Sequence, residues 1–99
     1  MTKAKLAGEI LRYMRKAYKD DDRELFSLDE IAEAFPETER KELSRALYAL
    51  QGVGIVHVYP FDDEAYSAAY NPDGIQKLIV EKGAGAVKDI IGWVTGFLQ

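Results

Sequence analysis

Residues 27–58, SLDEIAEAFPETERKELSRALYALQGVGIVHV, decide the fold. Ser27 followed three residues later by Glu30 is a capping box, in which each side chain satisfies a backbone N–H at a helix start. Phe26 and Ile31 flank it as a hydrophobic staple, so a helix begins at Leu28. Ile31, Ala32 and Phe35 face inward until Pro36, whose ring and missing N–H stop the helix. Thr38 is placed to cap a longer helix from Glu39 to about Gln51. Leu43, Ala46, Leu47 and Leu50 share one side of it, and Lys41, Ser44, Arg45 and Tyr48 form the other. Gly52 and Gly54 end that helix, one of them supplying a left-handed residue, and Ile55 to Tyr59 is β-branched and aromatic, a strand.

Upstream, Leu6, Ala7, Ile10, Tyr13, Met14 and Ala17 recur at helical spacing between Lys3 and about Lys19, with Lys5, Arg12, Arg15, Lys16 and Lys19 on the opposite face. Asp20, Asp21 and Asp22 oppose the negative end of that helix dipole and mark its stop. Glu24-Leu25-Phe26 is long enough only for an edge strand. Downstream, Pro60 to Glu64 reads as a turn and Ala65 to Tyr70 as the returning strand. Asn71-Pro72-Asp73-Gly74 opens a further helix, with asparagine at the cap and proline at the first position. Its apolar face is Ile75, Leu78 and Ile79, and Lys82-Gly83-Ala84-Gly85 breaks it. A last helix, Ala86 to Leu98, has only Lys88 and Asp89 as charges.

At 99 residues the chain fits one domain, of a size that buries roughly two-thirds of its unfolded surface. It contains no cysteine, which excludes disulfides, thiolate metal sites and a cysteine nucleophile and points to a reducing compartment. The N-terminal stretch has charges throughout and no apolar signal core, so a cytoplasmic location is expected. The net charge is −4, against a protein that coats nucleic acid through a uniformly basic surface. Charge is segregated: residues 1–19 carry six basic groups against Glu9, and residues 20–37 carry eight acids against Arg23.

Chemistry-bearing motifs are sparse. The aspartate run lacks the glycine and distal glutamate of a calcium loop, and His57 stands alone on a strand. There is no P-loop, dinucleotide fingerprint, H-E-x-x-H or nucleophile with an identifiable base. The expectation is a protein that is not an enzyme and takes no cofactor or metal. The six tyrosines read as core or rim residues.

The order helix, capped helix, proline turn, longer helix, hairpin, helix resembles the winged helix-turn-helix regulators, notably the MarR-like and PadR-like bacterial and archaeal ones. The stretch Leu47 to Val58, LYALQGVGIVHV, looks like that group's passage from recognition helix into wing. Tyr70 to Leu78, YNPDGIQKL, looks like the exit from the wing. The resemblance spans about Leu6 to Leu78 and implies an α+β fold that is mainly α with a small β-hairpin, a winged helix-turn-helix with additional C-terminal helices. Residues 1–82 would form the winged domain and 83–99 an apolar C-terminal helix. The chain departs from the family at the wing tip, where Asp62, Asp63 and Glu64 stand in place of arginine or lysine.

In such proteins the second helix of the motif reads base edges in the major groove while neighbouring groups grip phosphate. Carried onto this chain, that implies a guanine contact by Arg45 with Ser44 and Tyr48 beside it, and Arg40 and Lys41 near phosphate on double-stranded DNA. The basic face of the first helix is read as solvated, with DNA backbone or an acidic partner as the sharper alternative. The last helix holds Val87, Ile90, Ile91, Trp93, Val94, Phe97 and Leu98, and Gly92 and Gly96 form a G-x-x-x-G pair within it. It is apolar nearly all round, which predicts a homodimer seam through these residues, with packing on the first helix within the monomer and then interfacial membrane binding as the alternatives. It is too short to span a membrane. The alternative is an interaction module that binds a protein through the acidic surface of the second helix and the wing, without DNA.

Overall fold

The computed structural model describes residues 3–74 together with 76 and 77. The elements follow in the order α1 (Lys3–Asp21), β1 (Leu25–Ser27), α2 (Leu28–Ala34), α3 (Arg40–Gly52), β2 (Val56–Phe61) and β3 (Glu64–Tyr70), and residues 72–74, 76 and 77 are helical, where the asparagine-proline cap predicts a further helix. The strands form one antiparallel sheet in the order β1-β3-β2, an α+β arrangement compatible with a winged-helix topology. The expected hairpin is thus the larger part of a three-stranded sheet. Its third strand is the short segment before α2, with Phe26 opposite Ala68.

The core is where the helical stripes and the inner sheet face meet. Leu6, Ile10 and Met14 of α1, Phe26, Leu28 and Ile31 around the α2 start, Leu43, Leu47 and Leu50 of α3, and Val58 and Ala68 of the sheet are all buried. Each large aliphatic or aromatic side chain so buried contributes about 1.5–3 kcal/mol. Tyr13 sits edge-on to both Phe26 and Phe35, joining α1 to the two ends of α2.

The capping box is formed. The Ser27 hydroxyl accepts from the Glu30 N–H at 3.1 Å, and Glu30 Oε1 accepts from the Ser27 N–H at 3.0 Å. Arg23 completes it, forked onto both Glu30 oxygens at 2.7 Å with its guanidinium 4.8 Å from the Phe26 ring centre. Helix α3 starts one residue later than its spacing suggested, with Glu39 as a cap that makes no side-chain bond and Thr38 left in the turn. Gly54, at φ +82, takes the left-handed position after α3.

The wing turn is shorter than the sequence implied. Only Asp62 and Asp63 lie outside the strands, both left-handed at φ 51 and 62, as a two-residue hairpin of the twist-matched kind demands. The register slips by one residue between Tyr59 and Phe61, where Ala65 and Tyr66 of β3 together face Pro60, so the bulge beside the turn lies in β3.

Side chains close both edges of the sheet. On β1 the Leu25 carbonyl accepts from Arg23 at 2.9 Å and the Ser27 N–H is held by Glu30. On β2 the Val58 N–H donates to Gln51 Oε1 at 2.7 Å, and Pro60 has no N–H to offer. An edge blocked in this way resists pairing with a further strand.

Candidate functional site

Helix α3 divides its polar residues between two jobs, and the hairpin decides which is which. Arg40, Ser44 and Gln51, spaced by four and seven residues, share the side turned towards the hairpin. Arg40 Nε meets both oxygens of Glu64 at 3.1 Å while its Nη1 meets Asp29 Oδ1 at 2.6 Å, so one guanidinium ties α2, α3 and the wing together. Asp29 first and Glu64 second hold the Arg40 pKa above its usual value. Ser44 is 7% exposed, and its hydroxyl accepts the Ala65 N–H at 2.9 Å. Gln51 takes the Val58 N–H.

Ser44, expected on the outer face, is therefore turned inward, because the hairpin covers the flank beside the apolar stripe and a buried N–H there needs an acceptor. Arg40, expected near phosphate, is engaged by two carboxylates. Lys41, Arg45 and Tyr48 remain on the exposed face. Arg45 has a loose partner in Glu42 at 3.9 Å, and Lys41 has none among the described residues. Tyr48 supplies an exposed aromatic ring beside them. Two cations and an aromatic on one helix face can meet phosphate and base edges.

The charge of the wing points the other way. Asp62 and Asp63 are exposed and have no ion-pair partner among the described residues, and residues 46–76 contain no lysine or arginine. On the opposite part of the domain, Arg15, Lys16 and Lys19 of α1 border an open groove with Tyr18 and Tyr70. Burial pushes the Tyr70 phenol pKa up, with Arg15 opposing the shift. Arg12 is paired with Glu9 at 2.7 Å.

The tyrosines do not behave as one class. Tyr13, Tyr18 and Tyr70 pack on the core, whereas Tyr48, Tyr59 and Tyr66 are exposed, as is Phe61. His57 lies edge-on to Tyr59 at 4.7 Å. Among the described residues no group of three or more His, Cys, Asp or Glu side chains is placed to hold a metal ion, and no helix is long and apolar enough to cross a membrane. The expected dimer residues, Val87, Ile90, Ile91, Gly92, Trp93, Val94, Gly96, Phe97 and Leu98, lie outside the described residues. So does the expected boundary between residues 82 and 83.

Sequence reasoning missed the Gln51, Glu64 and Asp29 contacts. The signal available was the Arg40/Ser44/Gln51 spacing, a polar row directly beside the apolar stripe. Comparison with family models, curated proteins and solved structures finds no match to this chain.

Proposed function

We propose that this protein is a DNA-binding transcription regulator of the winged helix-turn-helix kind, MarR-like or PadR-like in organisation, acting as a homodimer. The observation that carries the reading is the exposed face of α3. After a capped α2 and a proline turn, it presents Lys41, Arg45 and Tyr48 outward from a rigid base. Arg45 reads a base edge in the major groove, Lys41 takes phosphate, and Tyr48 packs against the groove wall. The dimer is made by the apolar residues of segment 86–98, a reading that rests on their sequence alone. Two α3 helices then face successive major grooves of a pseudo-palindromic site.

A mobility shift of fragmented genomic DNA at two salt concentrations tests this, with Arg45→Glu beside wild type. Wild type is retarded and the variant is not, and retardation weakens with salt. Identical behaviour of the two proteins removes α3 as a reading head. Light scattering tests the dimer, which a monomer mass at tens of micromolar would sink.

One observation favours the alternative, an interaction module: the acidic wing bears no cation to meet phosphate. That reading predicts no retardation of duplex DNA even at low salt.

A further inference from the structure

We infer that the outward face of the sheet is a docking site for a cationic, arginine-rich segment of another protein. The inference names the face and the partner chemistry for the interaction reading, and it does not depend on whether α3 meets DNA.

Strand alternation sends His57, Tyr59 and Phe61 of β2 away from the core. Across the sheet, Leu25 reaches the same face through the register Leu25–Ala69–His57. The bulge brings Tyr66 into ring contact with Phe61 at 5.6 Å. These are large side chains held substantially in water: Leu25 is 58% exposed, Tyr59 49%, Phe61 63% and Tyr66 52%. Large apolar side chains gathered on one exposed sheet face of a small domain mark an interaction surface.

Electrostatics choose the partner. No lysine or arginine occurs in any of the three strands or in the wing turn, and Asp62 and Asp63 project at the end of the aromatic row without ion partners among the described residues. Aromatic faces carry negative charge density, so rings and carboxylates together attract a cation. Guanidinium suits such a site best, because it is weakly hydrated, stacks on rings and forks onto carboxylates. The protein already contains one example, Arg23 lying over Phe26 and forked onto Glu30. Nucleic acid does not fit, since a stacking platform for bases needs a positively charged groove to track the backbone.

The edges settle the mode. Arg23 and Glu30 close β1, and Gln51 and Pro60 close β2, so a partner cannot join as a strand and must lie across the face.

The test is fluorescence anisotropy of a short labelled peptide of alternating arginine and glycine against the full chain, beside a glutamate–glycine peptide and single-stranded oligothymidine. Saturable binding of the arginine peptide alone is expected. The double variant Tyr59→Ala/Phe61→Ala should weaken it about tenfold. Because ring removal can loosen the hairpin, a second variant, Asp62→Asn/Asp63→Gly, removes two charges while giving the turn its preferred residues. It should melt no lower than wild type and still bind the peptide several-fold more weakly. Arg45→Glu should leave peptide binding unchanged while abolishing DNA retardation, so failure of one reading is distinguishable from failure of the other. Absence of arginine-peptide binding, tighter binding of either anionic probe, or binding indifferent to both wing variants would overturn the inference.

Discussion

The hydroxyl of Ser44 accepts the backbone N–H of Ala65 at 2.9 Å, which fixes the start of β3 against the middle of α3. A side chain that a helical wheel places among the candidate DNA contacts is thus a bracket between helix and wing. Ser44→Ala should destabilise the fold by about 1–3 kcal/mol, since it strands a buried donor. DNA affinity per folded molecule should stay the same. Urea denaturation and a mobility shift corrected for folded fraction check the two halves of this prediction.

Glu30 gives the protein a defined acid sensitivity. Its carboxyl is held below the ordinary value of 4.5, chiefly by hydrogen bonds from Arg23, with partial burial opposing and the Ser27 N–H assisting. A lowered folded pKa means that the contribution is complete above the unfolded value and is lost as pH falls through the folded one. Wild type should lose more stability than Glu30→Gln as pH drops from about 5 to about 3, although Glu30→Gln starts lower. The effect is modest because the side chain is 32% exposed. Denaturation midpoints across that range decide it, and parallel curves would show that Glu30 titrates without consequence.

Gln51 guards the outer edge of β2. In Gln51→Ala the Val58 N–H loses its acceptor, and native-state hydrogen exchange at Val58 should quicken markedly while exchange at Phe26 keeps its rate. The variant should also associate more readily at high concentration, because its edge is partly open.

Two glycines should resist substitution for different reasons. At Gly54 a Cβ finds open space, yet φ is +82, so Gly54→Ala should cost about 1–2 kcal/mol through backbone strain alone. At Gly74 the backbone conformation is permissive, but a Cβ would collide with the Gly54 carbonyl oxygen. Gly74→Ala should therefore be the worse of the two in thermal melts, since backbone on one side and the wing exit on the other leave little room to yield.

What the sequence disclosed was local. Ser27 and Glu30 declare a helix start because their interaction spans three residues, and the Leu43/Ala46/Leu47/Leu50 stripe declares a buried side because helical periodicity is a property of the segment itself. Glu24 to Ser27 could be recognised as an edge strand but not paired, since its partner Ser67–Ala69 lies some forty residues on. The inward turn of Ser44 and the carboxylate partners of Arg40 are hidden for the same reason. Both residues sit at the margin of the stripe, and only the position of the hairpin determines whether that margin faces protein or water. The outward position of Tyr66 is not legible from alternation, because the bulge at Ala65 and Tyr66, opposite Pro60, breaks the period that a strand pattern relies on, whereas Tyr59 and Phe61 keep theirs along β2.

The Arg40 clasp also fixes a number that titration can read. Because this guanidinium is already neutralised by Asp29 and Glu64, it displaces no cation condensed on a polyanion's phosphates. If α3 meets DNA as proposed, its exposed face brings Lys41 to phosphate and Arg45 to a base edge, about two cations per α3, and the logarithm of affinity should fall with the logarithm of salt at a slope near −2 per copy of that helix. A slope near −3 would mean that Arg40 leaves its carboxylates on binding and that the wing is set loose as the helix engages.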